Sequence, residues 1–224
     1  MSEVRERLKR LDETIRACES RYGRDPGSVT LVVVSKHQPA EAVREALSAG
    51  QRAFGENYLK EAKTKIEALA EPTAVWHFIG TVQSNKTAEI AALFDWVHTI
   101  DREKLARRLS EQRPAGRPPL NVCLQVNTSG EKTKSGIAPS ALPVLIEAVV
   151  ELPRLKLRGL MALPAPETVF ECQRQAFAQL AKLAAESTVS FDTLSIGTSG
   201  DFEAAIAEGS TMVRIGTAVF GPRT

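Results

Sequence analysis

Residues 30–35 read TLVVVS, a run of aliphatic and β-branched residues with no polar alternation before its end. A strand with one exposed face alternates apolar and polar side chains, so this run indicates a strand buried on both faces, as in a parallel sheet. Residues 39–49 follow as a predicted helix, and Gly50 supplies a helix stop. This unit of one strand and one helix sets the pattern for the rest of the chain.

The same order of strand and helix recurs along the sequence. Strands are predicted at 30–35, 52–55, 75–79, 96–100, 120–126, 155–163, 193–196 and 212–215. Helices are predicted between them at 39–49, 58–69, 84–93, 101–112 (capped by Asp101), 139–152, 167–187 and 202–208. Strand starts about 20 to 40 residues apart are typical of βαβ units. A doubly wound open sheet also fits, but eight strands favour a closed (β/α)8 TIM barrel, a fold found from about 200 residues upward.

A further helix precedes the barrel pattern. Apolar residues recur every three or four positions from Val4 to Cys18, which predicts an amphipathic helix within residues 1–22. The richest linker candidate, PAGRPP at 114–119, is short and reads as a loop between a helix and a strand. We therefore expect a single domain over residues 1–224, with the first helix packed outside or beneath the barrel.

The composition is that of an ordinary globular protein. The chain has 224 residues, of which 43% are hydrophobic and 25% charged, with a net charge of +2. These values favour neither a nucleic acid nor a membrane as partner. The N-terminus lacks the apolar core of a secretory signal, so we expect a cytoplasmic location. The three cysteines and three histidines have no spacing typical of a disulfide framework or a metal site, and no metal is expected.

Two of the predicted strand ends carry residues suited to phosphate. Active sites of such barrels lie at the carboxyl ends of the strands, and the loops after strands seven and eight often bind phosphate. Gly197-Thr198-Ser199-Gly200 follows strand seven, and Gly216-Thr217 follows strand eight. Glycines allow backbone amides to approach phosphate oxygens, and hydroxyl groups add donors. The two loops together predict a phosphate site.

Two cations lie beside these loops. Lys36 ends strand one on the same face as Val34, and Arg214 lies in strand eight. Lys36 is either a strand-end lysine that reaches solvent, a phosphate ligand, or an amine nucleophile toward a carbonyl. Arg214 either forms a structural ion pair, with Glu56 or Asp201 as candidates, or faces a polar ring atom of a ligand.

An amine, a phosphate site and an arginine together suggest one ligand, pyridoxal 5′-phosphate (PLP). PLP carries an aldehyde, a phosphate and a pyridine nitrogen. An arginine facing that nitrogen would disfavour its protonation and weaken the ring as an electron sink. Residues 129–136, SGEKTKSG, fail the P-loop pattern, and we predict a mobile basic loop over the barrel mouth.

Six stretches of the sequence resemble one known family. They are VVVSK (32–36), AFGENY (53–58), WHFIGTVQSNK (76–86), VNTSGEKTKSG (126–136), RGLMALP (158–164) and SIGTSGDFEAAIAEGSTMVRIGTAVFG (195–221). In this order they resemble the pyridoxal-phosphate homeostasis protein family, a single-domain relative of the alanine racemase N-terminal domain. The family commonly reads Met-Gly-Met-Ser at 196–199 and Gly-Pro-Leu-Gln at 80–83, where this chain has Ile-Gly-Thr-Ser and Gly-Thr-Val-Gln.

The resemblance implies a monomeric barrel that binds PLP without catalytic turnover and acts in vitamin B6 and amino-acid homeostasis. It implies that Lys36 holds the cofactor as a Schiff base and that Arg214 faces the pyridine nitrogen. It further implies a phosphate cup of Ser199, Gly216 and Thr217. The remaining pocket residues that it implies are Asn57, His77 and Met161.

Three functions remain open at this point. The leading hypothesis is a PLP carrier or regulator that meets client enzymes transiently. One rival is an enzyme, either an amino-acid racemase or another PLP-dependent enzyme. The other is a cofactor-free aldolase that uses Lys36 on a sugar phosphate. Racemisation needs a base on each face of the substrate carbon. The sequence ends soon after strand eight and has two tyrosines, Tyr22 and Tyr58, so we expect the second base to be missing.

Overall fold

The computed structural model describes residues 2–131 and 135–221. Within these residues, eight parallel strands form a closed barrel in sequence order. The strands are β1 (Thr30–Val34), β2 (Ala53–Glu56), β3 (Val75–Phe78), β4 (Trp96–Ile100), β5 (Leu120–Gln125), β6 (Leu155–Met161), β7 (Thr193–Ser195) and β8 (Met212–Ile215). Strand β1 pairs with β8 from Thr30↔Met212 to Val33↔Ile215, which closes the barrel. The predicted (β/α)8 fold is confirmed.

One helix, α1 (Glu3–Arg21), precedes β1, and the other helices follow strands. These are α2 (Ala40–Ser48), α3 (Leu59–Leu69), α4 (Thr87–Leu93), α5 (Glu103–Gln112), α6 (Leu142–Val150), α7 (Phe170–Ala185), α8 (Phe202–Ala207) and α9 (Thr217–Phe220). Short 3-10 turns at Ser84–Lys86 and Pro139–Ala141 precede α4 and α6. Helix α9 was not predicted, because four residues are too few to show a helical period.

The prediction that Asp101 caps a helix is wrong. Helix α5 begins at Glu103, its N-cap residue is Arg102, and no side chain caps it. Asp101 instead accepts a hydrogen bond from the Arg102 guanidinium at 2.8 Å. A neighbouring cation therefore competes successfully with the backbone amides for this carboxylate.

The strands separate two apolar layers. Side chains that point inward form an interior cluster of Val32, Ala53, Trp96, Cys123, Met161 and Met212. Side chains that point outward, such as Val33 and Phe54, pack beneath the helices in a larger core. Val32 and Val33 are neighbours in sequence and both are fully buried. This burial on both faces explains why β1 is apolar at consecutive positions.

Helix α1 packs against α2, α8 and α9. Its apolar stripe of Leu8, Leu11 and Ile15 is buried, as the periodicity predicts. Glu19 joins the helix to the segment before β1, because its carboxylate accepts from the backbone amides of Gly27 (3.0 Å) and Val29 (2.7 Å). Across the described ranges, no helix is both long enough and apolar enough to cross a bilayer.

Gly159 allows β6 and β7 to pair closely. A Cβ atom at this position would lie 1.7 Å from the Thr193 carbonyl oxygen, whereas a Cβ atom at Gly116 would meet no atom within 4 Å. We expect Gly159→Ala to lower the free energy of unfolding by about 3 kcal/mol, since backbone must move. Gly116→Ala, the control, should stay within about 0.5 kcal/mol of the parent. Urea unfolding measures both, and equal midpoints for the two variants would contradict this account.

Candidate functional site

A cavity of about 290 Å³ opens at the carboxyl ends of the strands. Its volume is near the lower end for small-molecule sites, roughly 300 Å³ and above. It lies where barrel active sites are expected. Its lining residues are Val34, Lys36, Gln38, Asn57, Ile79, Leu163, Thr198, Ser199, Arg214, Gly216, Thr217, Phe220 and Gly221.

Six of the eight predicted site residues line this cavity, and two do not. The six are Lys36, Asn57, Ser199, Arg214, Gly216 and Thr217. Met161 is fully buried in the interior cluster, and His77 is also buried inside the barrel. Both side chains therefore lie among the strands rather than in the cavity wall.

Several residues that line the cavity are not among the predicted site residues. Ile79 and Leu163 are the last residues of two predicted strands, so the rule that sites lie at strand ends could have found them. Phe220 belongs to the unpredicted helix α9, and no pattern in the sequence marks it. These three side chains provide apolar surface beside the polar groups.

The loop after β7 is shaped by a glycine and an aspartate. Gly197 has a φ of +96°, and a Cβ atom there would lie 2.7 Å from the Ala205 Cβ, so only glycine fits. The Asp201 carboxylate accepts from the Thr198 amide at 2.6 Å and from the Thr198 hydroxyl at 2.9 Å. This tight turn holds Ser199 at the cavity.

The segment after β8 approaches β1 closely. A Cβ atom on Gly216 would lie 2.8 Å from the Val34 carbonyl oxygen, so a glycine is needed for this contact. Helix α9 begins at Thr217, and the first amides of a helix have no partner within it. Backbone donors and the Thr217 hydroxyl thus accompany Ser199 around the cavity.

Arg214 is buried and bonded to neutral acceptors. Its guanidinium donates to the Ser195 carbonyl oxygen, to the Ser195 Oγ (2.6 Å) and to the Ala162 carbonyl oxygen (3.2 Å). Burial lowers the pKa of Arg214 to about 10, so it remains a cation at neutral pH. A buried cation without a carboxylate beside it is costly for folding and is a candidate ligand contact.

The ion pair considered for Arg214 is wrong for both candidate carboxylates. Glu56 pairs with Lys65 at 2.7 Å, and Asp201 bonds to Thr198. Among the residues that the structure describes, neither carboxylate forms an ion pair with Arg214. The guanidinium therefore lines the cavity without a direct ion pair to either group, although the Asp201 charge favours the Arg214 cation at longer range.

A chain of hydrogen bonds leads from Arg214 into the barrel. Ser195 Oγ lies 2.7 Å from His98 Nδ1, and His98 Nε2 lies 2.9 Å from His77 Nδ1. The His77 ring stacks on Trp96 at 5.4 Å. Neutral imidazoles each offer one donor and one acceptor, so such a chain satisfies its members without further charge.

Burial keeps both histidines neutral. It lowers the pKa of His77 to about 3. The pKa of His98 is lowered well below its usual value by burial first, and then by His77 and the Arg214 cation. His77 was expected in the pocket, and the structure instead connects it to the pocket through Arg214.

Asn57 carries an acceptor that the protein does not use. Its Oδ1 atom is buried and has no hydrogen-bond partner within the described ranges. A Cβ atom on Gly80 would lie 2.0 Å from the Asn57 carbonyl oxygen, so this glycine allows β3 to end against Asn57. Because Asn57 lines the cavity, Oδ1 can accept a hydrogen bond from a ligand.

Residues 132–134 of the predicted basic loop lie outside the described residues. The ends of the loop are attached to the end of β5: Asn127 donates to the Ile137 carbonyl at 2.8 Å, and Ile137 donates to the Gln125 carbonyl at 2.9 Å. In the part of the chain that is described, no three His, Cys, Asp or Glu side chains are arranged to hold a metal ion.

Comparison with known proteins defines the class of this barrel. The alanine racemase N-terminal domain family matches residues 7–224. A solved alanine racemase from Corynebacterium glutamicum has a TM-score of 0.68 at 18% identity, covers 96% of this chain and 62% of that chain, and shows the shared fold alone. The chain is thus a barrel of the alanine racemase N-terminal type.

Similar proteins of the same length narrow the class. A Pseudomonas aeruginosa protein named pyridoxal phosphate homeostasis protein is 57% identical over 223 residues, which are 100% of this chain and 97% of that protein. The structure of PipY from Synechococcus elongatus PCC7942 with PLP bound has a TM-score of 0.83 at 37% identity and covers 97% of this chain and 100% of that chain. The chain belongs to the pyridoxal phosphate homeostasis protein family.

The neutral histidines predict a loss of stability in acid. The unfolded chain protonates His77 near its ordinary pKa of 6.5, whereas the folded protein resists protonation down to about pH 3. Protons therefore favour the unfolded state over this window. Between pH 7.5 and pH 5, we expect His77 to lower the free energy of unfolding by about 2 kcal/mol.

Urea unfolding at the two pH values measures this loss. His77→Gln should lose less stability on acidification than the control His37→Asn, whose histidine side chain is 51% exposed in the parent. The same acid loss in both variants would show that His77 is protonated normally in the folded protein.

Proposed function

We propose that this chain binds PLP for intracellular vitamin B6 and amino-acid homeostasis and holds it as a Schiff base on Lys36. The observation that carries the proposal is that Lys36, Arg214 and the two loops that contain Ser199 and Thr217 line one and the same cavity. The family name and the PLP-bound PipY structure support it. We further propose that the protein is cytoplasmic and monomeric and meets client enzymes transiently.

The residues present fit this cofactor. When bound, PLP supplies an aldehyde that condenses with amines, beside a phosphate and a pyridine nitrogen. The Ser199 and Thr217 hydroxyls and the amides at the start of α9 can donate to the phosphate oxygens. Asn57 lines the cavity, and its buried Oδ1 atom has no partner among the described residues, so it is available to accept a hydrogen bond from the cofactor. Arg214, a cation at neutral pH, would oppose a proton on the ring nitrogen.

Lys36 performs the covalent step in this proposal. Its uncharged Nζ adds to the aldehyde carbon, a carbon–nitrogen double bond forms, and the aldehyde oxygen leaves as water with the two amine protons. The step is a condensation and needs no oxidant or reductant. The phosphate contacts hold the aldehyde near the amine, which raises its effective concentration.

The same cavity offers one base for proton transfer at carbon. Among its described lining residues, Lys36 and Arg214 are the titratable groups. Tyr58 is 52% exposed and its ring lies against His37, away from the cavity wall. Tyr22 bonds to Glu203 on the outside of the barrel. A carrier therefore fits these residues better than a racemase with two bases.

Borohydride reduction tests the Schiff base. After incubation with PLP, reduction should attach the cofactor to the peptide that contains Lys36, because the amine and the phosphate loops share one cavity. The visible absorption band of the complex should be absent from Lys36→Ala and unchanged in the control Lys60→Ala. Cofactor on Lys60 or Lys86, or no visible band in the parent, would refute the proposal; the latter would favour a cofactor-free aldolase.

Chiral chromatography tests the absence of racemase turnover. We expect saturating L-alanine and other L-amino acids to yield no D-isomer at enzyme-like rates when incubated with the holoprotein, since a second base is missing from the described cavity wall. Turnover at about 1 per second or faster that disappears in Lys36→Ala would establish a racemase instead.

A further inference from the structure

Helix α3 holds the peptide groups on both sides of Lys36. The Lys65 ammonium donates to the Ser35 carbonyl oxygen at 2.5 Å. The Glu61 carboxylate accepts from the His37 amide at 2.5 Å. Lys65 also donates to the same Glu61 oxygen at 2.6 Å, which joins the two contacts. We call Glu61 and Lys65 the α3 clamp.

The buried carboxylate of Glu56, which lies at the end of β2, bonds to the clamp. Glu56 Oε1 accepts from Lys65 at 2.7 Å and from the Ser35 hydroxyl at 2.6 Å. All three protons of the Lys65 ammonium are thereby used, and its side chain is 4% exposed. Burial raises the pKa of Glu56, while Lys65 and Ser35 lower it. Replacing such a buried charged group by apolar residues is often neutral or stabilising, so stability alone does not account for it.

The clamp acts on an unfavourable turn. Gln38 donates to the Ser35 carbonyl at 3.0 Å, so Lys36 and His37 occupy the two central positions of a turn. His37 has a φ of +63°, a conformation that side-chain-bearing residues rarely adopt. Such backbone persists when the surrounding structure over-determines it. Here the hydrogen bond from the His37 amide to Glu61 supplies that constraint.

None of the clamp residues lines the cavity. Their hydrogen bonds to the Lys36 segment include those to the Ser35 and His37 peptide groups. Glu56 accepts from the Ser35 hydroxyl, and Glu61 Oε2 also lies 4.0 Å from His37 Nδ1. The Lys36 side chain starts from the Cα atom between these two peptide groups, so their orientation determines where its amine can reach.

We propose that Glu61 and Lys65 are positioning residues that fix the Lys36 backbone so that its amine meets the cofactor aldehyde. This inference rests on the proposed function, because it concerns the same lysine. It predicts that loss of the clamp slows the covalent step and leaves the phosphate contacts of the cavity intact.

Glu61→Ala is the variant of choice. Lys65→Met would leave buried Glu56 without its cation and could unfold the barrel. Glu61 has a side chain that is 25% exposed, so its removal is better tolerated. Glu67, an exposed residue of the same helix, provides the control Glu67→Ala with the same charge change. Glu61→Gln keeps an oxygen that can accept from the His37 amide and serves as the conservative variant.

Two binding measurements separate positioning from general damage. Absorption after rapid mixing with PLP gives the rate of Schiff-base formation, and pyridoxine 5′-phosphate, which lacks the aldehyde, reports the non-covalent contacts. We expect Glu61→Ala to slow formation about tenfold or more. Its affinity for pyridoxine 5′-phosphate should stay within about twofold of the parent, since the phosphate contacts are made by other loops. Glu61→Gln should recover part of the rate, and Glu67→Ala should match the parent.

Hydrogen exchange tests the clamp without cofactor. The His37 amide should exchange faster in Glu61→Ala than in Glu67→Ala, because its acceptor is gone. Parent-like rates of Schiff-base formation in Glu61→Ala would overturn the proposal. A loss of affinity for pyridoxine 5′-phosphate as large as the loss of rate would also overturn it. If the parent forms no reducible bond at Lys36, the proposed function itself fails, and the clamp loses its role with it.

Discussion

The pairing of β1 with β8 is the constraint on which the candidate site depends. Four consecutive residue pairs, from Thr30↔Met212 to Val33↔Ile215, join the first strand to the last. This closure brings Lys36, which follows β1, to the same cavity as Gly216, which follows β8. Both residues would remain strand-end loops at opposite edges in an open sheet. The glycine at 216 is required by the same closure, since a larger residue would strike the Val34 carbonyl.

Closure also creates an interior that must accommodate polar groups. The inward faces contain an apolar cluster, but they also contain Arg214, Ser195, His98 and His77. Buried polar groups are tolerated when each finds a partner, and the hydrogen-bond chain gives every one of these side chains a partner. The two histidines contribute hydrogen bonds without charge because burial lowers their pKa values. The single cation of the chain therefore lies at its cavity end.

The barrel could be predicted from the sequence because the same pattern of a strand followed by a helix recurs along the chain. Each strand is a short segment rich in aliphatic, aromatic or β-branched residues, and a two-residue error at one boundary does not change the count of eight. Five of the six predicted cavity residues follow strands, and the sixth, Arg214, lies in β8 two residues before Gly216, so the rule that sites lie at strand ends could find them. His77 and Met161 could not be separated from them, since depth along a strand depends on register and barrel closure. Helix α9 could not be predicted, because four residues are too few to show a helical period. The start of α5 could not be predicted either, because it depends on whether Asp101 bonds to the backbone amides or to the Arg102 side chain.

The α3 clamp could not be predicted from the sequence, because its contacts depend on how the barrel brings neighbouring βαβ units together. Glu61 and Lys65 belong to the helix after β2, yet they bond to the turn after β1. On the sequence they read as an ordinary i, i+4 charge pair on a solvated helix face. The parallel strand order places them beside the turn that carries Lys36, because the helix after β2 packs next to the loop after β1. The Lys36 side chain, which follows β1, is therefore oriented by the helix after β2. The left-handed conformation of His37 is held by the same contact with that helix. Functional loops in this fold gain precision from the rigid helices beside them rather than from their own sequence.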